Sequence, residues 1–156
     1  MVSERTFFVY PTPMGRITLA SDGSSLTQLA FGAVELAGTN TPTVLTNEAA
    51  NQVQEYLAGK RKTFDLPLDP HGTTFQQQVW DALRHIPYGE TRSYQQVAQM
   101  LGKPQAMRAV GGANNKNPLP IIIPCHRVIG ASGDLVGYVA GLKIKKFLLD
   151  LEQAHR

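Results

Sequence analysis

A single cysteine in 156 residues excludes an internal disulfide and a cysteine-rich zinc site, so the thiol of Cys125 is either an inert core group or a reactive one. No apolar run approaches the roughly 18 residues that a membrane span needs. The hydrophobic fraction of 42% is too high for a disordered chain. The first residues, Met1-Val2-Ser3-Glu4-Arg5, end in three polar side chains and lead into a short apolar run with no small-residue cleavage pattern. No secretory signal is therefore expected, and the chain reads as a soluble, cytoplasmic one. Internal repeats and low-complexity segments are lacking too. The length fits one domain or two small packed ones, at roughly 100 to 200 residues per domain.

Acidic charge is scarce in the second half. Residues 1–72 hold five basic and seven acidic side chains, net −2, whereas residues 73–156 hold ten and five, net +5. Between Arg84 and Lys146 only Glu90 and Asp134 oppose nine basic residues. A local excess of this kind suits a polyanion, although a solvated basic surface has the same composition.

The first half reads as strands and then a helix. Thr6–Tyr10 is β-prone and ends at the turn cluster Pro11-Thr12-Pro13-Met14-Gly15; Arg16–Ala20 alternates polar and apolar residues like a half-buried strand. After Ser21-Asp22-Gly23-Ser24-Ser25, Leu26–Phe31 forms a third strand, which predicts an antiparallel meander. A helix is expected over Asn47–Ala58, with Gly59 beyond its end. Residues 60–72, with a basic cluster, two prolines and His71-Gly72, read as a linker between a domain at 1–72 and another at 73–156.

Beyond the linker the period becomes helical. Thr74 and Gln77 form a candidate capping box for a helix carrying Phe75, Val79, Leu83 and Ile86; Ser93 and Gln96 form a second, for Tyr94, Val97, Ala98 and Leu101. Gly102-Lys103 makes a tight connection to a further helix expected to start at Pro104, with a small-sided face of Ala106, Ala109, Val110 and Ala113. Two short helices about a glycine turn, in the basic half, predict a helix-turn-helix. Leu119–Ile123 reads as a buried strand bracketed by Pro118, Pro120 and Pro124, and a terminal helix shows an apolar face of Ile144, Phe147, Leu148 and Leu151.

Cys125 follows a proline at the end of that expected strand and precedes His126. An imidazole can take a thiol's proton, directly or through water, and the thiolate is the attacking form. A third group should orient the ring. Asp150 and Glu152 are the acids near enough in the terminal helix, and either can fold back to it.

Pro124-Cys125-His126-Arg127-Val128, preceded by Asn117-Pro118 and Ile121-Ile122-Ile123, resembles the active-site signature of the O6-alkylguanine-DNA alkyltransferases, also called methylated-DNA–protein-cysteine methyltransferases. The resemblance runs through Thr12-Pro13-Met14-Gly15, Ile86-Pro87-Tyr88-Gly89, Ser93-Tyr94, Arg108-Ala109-Val110-Gly111-Gly112-Ala113, Gly137-Tyr138 and Lys145–Glu152. It covers the whole chain, loosely before Phe75 and strongly after it. It implies an α+β fold: a small N-terminal α/β domain with a three-stranded antiparallel sheet and a helix, then a mostly helical, winged helix-turn-helix domain carrying the cysteine.

The function implied is single-turnover repair of DNA. An O6-alkylguanine, or an O4-alkylthymine, is flipped out and Cys125 takes the alkyl group irreversibly, with no cofactor and no metal. The resemblance makes His126 the base acting through water, Glu152 the group holding the imidazole, Tyr94 the donor to the leaving base and Lys145 a support for that step. Asn117 becomes a hinge that an alkylated cysteine would crowd, leaving the spent protein less stable. Arg108 fills the stack left by the flipped base. Ala106, Ala109, Gly111 and Gly112, with Ser93 and Gln95, lie against the minor groove of double-stranded DNA, bound by a monomer away from any membrane. Val128, Tyr138, Val139, Ala140, Pro120 and Asn114 line the pocket. Val139-Ala140 departs from the family pattern by narrowing or greasing the rim, and Met107 adds bulk to the DNA face. The N-terminal zinc site of some relatives lacks its cysteines here. Two other classes use part of this pattern: a thiol hydrolase explains the Cys-His pair but not the basic helices, and a damage-sensing DNA-binding module explains the helices but not the cysteine. An operator-binding regulator fits poorly, because minor-groove contact through small side chains offers little base readout.

Overall fold

The computed structural model describes residues 4–138 and 140–156. The chain divides into two compact units, Met1–His71 and Gly72–Arg156. Mixed α+β structure is thus arranged as a small sheet unit followed by a mainly helical one. Among the described residues, no helix is long and apolar enough to cross a membrane.

In the first unit, β1 (Thr6–Tyr10), β2 (Ile17–Ser21) and β3 (Leu26–Phe31) form the antiparallel meander. A two-residue β4 (Thr39–Asn40) adds a parallel partner to β1, so the sheet has four strands in the order β3-β2-β1-β4. The sequence expectation of three strands missed β4 because so short an edge has no alternation to read. β2 is buried along its whole length, not on one face. Its polar members are satisfied inside: Thr18 Oγ1 donates to Gly32 O and accepts from Val34 N. α1 (Val44–Leu57) begins three residues before the expected Asn47, because Thr43 caps it in a reciprocal box with Thr46. The segment expected to be a linker is hydrogen-bonded to this unit as far as Asp69: Leu26 pairs with Pro67 O and Asp69 N, and the buried amide of Gln52 with Asp65 N and O.

In the second unit, α2 (Thr74–Leu83) is capped by Thr73 with Gln76, one residue earlier than the expected Thr74–Gln77 pair. Both pairs match the same spacing, and the backbone turn selects the first. After β5 (Arg92–Ser93), α3 (Tyr94–Met100) carries the Ser93–Gln96 box. The chain turns at Gly102, whose φ of 69° is the left-handed conformation that glycine adopts without a Cβ penalty. α4 is Met107–Asn115, with Ala106 at its N-cap. The helix expected from Pro104 starts three residues later, because Pro104 and Gln105 lie in the turn. The small-sided face also splits: Val110 and Ala113 are buried, whereas Ala109 points to solvent.

Leu119–Ile123 is buried but is not a strand. Pro118, Pro120 and Pro124 remove amide hydrogens that a ladder needs, and Ile121 takes a φ of 74°, unusual for a β-branched residue. Cys125 therefore opens a single 3-10 turn, Cys125–Arg127, and does not end a strand; β6 (Val128–Ile129) follows and pairs in parallel with β5. α5 (Leu142–Ala154) buries Lys145, Leu148 and Glu152. The expected apolar face is present only in part, since Phe147 is 43% exposed and the buried stripe includes two charged groups.

Packing of α2 on α4 includes a buried bond from Trp80 Nε1 to Ala113 O, 2.8 Å long. Trp80→Phe removes that bond and leaves Ala113 O only the bond from Lys116 N, which is expected to cost about 1 kcal/mol, measured as the change in unfolding free energy in urea.

Candidate active site

The turn before Cys125 sets the site. With proline nitrogens at three positions, Asn117 supplies the missing bonds: its Nδ2 donates to Ile123 O and its Oδ1 accepts from Leu119 N, both at 2.9 Å. Cys125 N donates to Ile123 O, and Asn114 Nδ2 reaches Cys125 O at 3.4 Å. The Oδ1 of Asn114 is buried and has no hydrogen-bond partner among the described residues. Cys125 itself is 1% exposed. Burial pushes its thiol up to about 11, against a hydrogen bond from Asn117 and the charge of Lys145.

The 3-10 turn sends the next two side chains inward. His126 is fully buried, and its Nε2 lies 2.7 Å from Glu152 Oε2 on α5. That contact places the ring proton on Nε2 and makes Nδ1 the nitrogen for proton exchange. Burial lowers the imidazole's proton affinity; Glu152 pulls the other way, and Arg127 and Lys145 add to the lowering. Of the two acids considered from sequence, Glu152 reaches the ring, while Asp150 pairs with Lys146 in solvent.

Sequence reasoning did not assign a role to Arg127. Its Nε and Nη2 hold both oxygens of Glu152 at 2.9–3.2 Å, its Nη1 donates to Ile86 O at 2.7 Å, and its guanidinium lies 5.7 Å from the centre of the Tyr88 ring. Gly89 N donates to Glu152 Oε1 at 3.0 Å. Burial opposes the charge of Glu152, but the bonds from His126 and Arg127 outweigh it and hold the carboxyl well below the usual range. In the sequence the Ile86-Pro87-Tyr88-Gly89 segment stands out only through the family resemblance; its task of bracing this network leaves no periodic mark.

Lys145 is wholly buried and donates to Val128 O at 2.6 Å, Val136 O at 2.8 Å and Gly137 O at 3.2 Å. Burial lowers it to about 8, while Cys125 works to raise it. Tyr94 Oη donates to the same Val136 O at 2.9 Å, and burial raises its phenol, with Cys125 adding to the effect. Tyr138, also raised by burial and then by Cys125, stands on the same loop. Pro120 and Val128 are buried and Ala140 is half-buried, while Val139 lies outside the described residues.

The residues expected to face DNA differ in exposure. Arg108, Ala109 and Gly112 are exposed on α4, with Ala106 and Gly111 half-buried. A Cβ at Gly112 would meet nothing within 4 Å, so packing within the chain does not require glycine there. Ser93 and Gln95 serve the chain itself: Ser93 caps α3 and Gln95 donates to Pro104 O.

Comparison with known proteins gives a consistent result across both units. Residues 7–70 match the family described as 6-O-methylguanine DNA methyltransferase, ribonuclease-like domain, and residues 74–154 match 6-O-methylguanine DNA methyltransferase, DNA binding domain. The chain is similar to the methylated-DNA–protein-cysteine methyltransferase of Methanosarcina acetivorans, 48% identical over 151 residues, covering 94% of this chain and 97% of that one. It is similar to the constitutive methylated-DNA–protein-cysteine methyltransferase of Bacillus subtilis at 47% identity, covering 91% and 92%. Among solved structures, Mycobacterium tuberculosis OGT in complex with DNA superposes with a TM-score of 0.88 at 46% identity, covering 96% of this chain and 94% of that one.

Asn117 satisfies two buried backbone groups at once. Asn117→Ala leaves Leu119 N unpaired while Ile123 O keeps its bond from Cys125 N, and is expected to cost about 1–3 kcal/mol in urea unfolding; Asn117→Asp, which keeps the acceptor for Leu119 N but buries a carboxyl with one oxygen facing Ile123 O, should cost at least as much.

Proposed function

Because the chain belongs to the 6-O-methylguanine DNA methyltransferase family, whose work is repair of DNA alkyl damage, we propose that it transfers an alkyl group from O6 of guanine, and from O4 of thymine, irreversibly to its own Cys125. The observation that carries this reading is the buried series Cys125, His126 and Glu152, beside a lysine and a tyrosine that share one loop carbonyl. In this reading, residues 73–156 carry binding and chemistry and residues 1–72 support them.

The thiol is held neutral by burial, so it needs a base. His126 takes its proton through water, and Glu152 stabilises the imidazolium that results. The sulfur forms a bond to the alkyl carbon as the carbon–O6 bond breaks, and the electron pair passes to the base. That leaving group is a poor one until neutralised. Tyr94 exchanges its bond to Val136 O for one to the base and donates as charge develops, while Lys145 keeps hold of the loop. No cofactor enters the scheme. The thioether does not revert, so each molecule reacts once.

The substrate base has to leave the helix first. α4 lies along the minor groove of double-stranded DNA, where the exposed Ala109 and Gly112 permit close approach and Arg108 fills the vacated stack. The open space at Gly112 supports this reading, since an outside partner, not the protein's own packing, gains from the missing side chain. The protein acts as a monomer in the cytoplasm, where chromosomal DNA is within reach.

Incubation with an oligonucleotide containing O6-methylguanine, followed by intact-mass measurement, should show one methyl per protein, mapped to Cys125 and absent from Cys125→Ser. Unmodified protein with the lesion persisting would refute the proposal, and repeated turnover would favour a hydrolase. Arg108→Ala should slow repair in duplex DNA much more than reaction with the free base O6-benzylguanine; equal losses would argue against base flipping. The wild-type rate should fall on the acid side as His126 gains a proton. Because burial lowers the imidazole, that fall is expected below the ordinary histidine value of about 6.5.

A further inference from the structure

We infer that Arg127 is a positioning residue for the acid–base pair: its forked grip fixes the Glu152 carboxylate against His126 and cancels that carboxylate's charge, so the imidazole rests neutral and able to accept the Cys125 proton. The inference rests on the reading of Cys125 as alkyl acceptor and deepens it.

A carboxylate 2.7 Å from a buried imidazole, left alone, would favour the imidazolium. An imidazolium already formed cannot accept the thiol's proton. Glu152 is not alone here. Arg127 Nε lies 2.9 Å from Oε1 and Nη2 lies 2.9 Å from Oε2, the two-pronged geometry in which guanidinium matches carboxylate. The fork cannot pivot, because Nη1 is tied to Ile86 O and the guanidinium lies over the Tyr88 ring. Gly89 N also binds Oε1. Hydrogen bonds from His126 and Gly89 already engage both oxygens, so what Arg127 adds beyond another bond is a full positive charge. At 7% exposure that charge does not serve solubility.

The other charged or titratable groups around His126 are few. Lys145 faces it from α5 together with Glu152, Cys125 precedes it, and Arg127 follows it on the same turn. Arg127 and Lys145 both oppose protonation of the ring and Glu152 favours it. Before the reaction the Arg127–Glu152 pair is neutral overall. As the proton leaves Cys125 sulfur and arrives on the imidazole, the same carboxylate, held in place, meets the new cation. The arginine therefore delays protonation without moving the group that later stabilises it.

The test follows the ring signals of His126 by NMR through the acid-to-neutral range in wild type, Arg127→Gln, Arg127→Lys and Glu152→Gln, with single-turnover methyl transfer from an O6-methylguanine oligonucleotide measured alongside. Arg127→Gln should raise the His126 midpoint by about one pH unit or more, the size expected on losing a close charge, and move the acid fall in rate the same way. Arg127→Lys, which keeps the charge without the fork, should leave the midpoint near wild type while slowing transfer. Glu152→Gln should lower it. A midpoint in Arg127→Gln at or below wild type overturns the inference. Should that variant not fold, a midpoint in Arg127→Lys raised by about one unit overturns it, and one near wild type supports it. A wild-type protein that accepts no methyl refutes the proposed function itself, whatever the histidine does; one that accepts it with the midpoint unmoved in Arg127→Gln refutes the inference alone.

Discussion

Burying the carboxylate of Glu152 is the constraint around which the helical unit is arranged. An ionised carboxyl taken out of water loses several kcal/mol of solvation unless every lone pair finds a donor. Here the donors come from separate stretches of chain: the imidazole and guanidinium of the 3-10 turn, and the amide of Gly89 after the Pro87-Tyr88 turn. Satisfying one carboxylate thus fixes the C-terminal helix, the turn bearing the thiol and the connection between α2 and β5. Arg127 extends the tie to Ile86 O. The geometry of the proton path is a by-product of solving that solvation problem.

The parts of the fold that were legible in the sequence are those with a period or a cap. The meander strands and the Ser93–Gln96 box were readable because each repeats or closes within a few residues. The terminal helix was readable from its length, but its inward face was not, since Lys145 and Glu152 occupy positions a hydropathy pattern assigns to solvent. Leu119–Ile123 misled in the opposite sense. Its composition says strand, and the prolines that flank and interrupt it decide against one.

The site was legible at different depths. Cys125 and His126 stand together in the chain, so their pairing needed only chemistry. Glu152 needed the choice between two acids, which helix rotation settles: Asp150 turns outward to Lys146 and Glu152 inward to the ring. Arg127 was hidden because an arginine reads as surface, and the apolar residues around it, Ile121–Ile123 and Val128-Ile129, do not show which carboxylate it pairs with. The outward residues of α4 have no internal partner to betray them, so Arg108 was readable only by likeness to other sequences.

Lys145 gives this architecture one more property. Its ammonium is solvated by the carbonyls of Val128, Val136 and Gly137 and not by water. The polypeptide thus folds a short loop and a strand end around a cation that it carries itself, much as other loops wrap a bound metal ion. Such a crosslink is electrostatic and reversible. Loss of a single proton weakens it, because a neutral amine has two N–H donors for three carbonyls, and with the amine lowered to about 8 by burial it is in alkaline solution that the hold on the loop is expected to loosen.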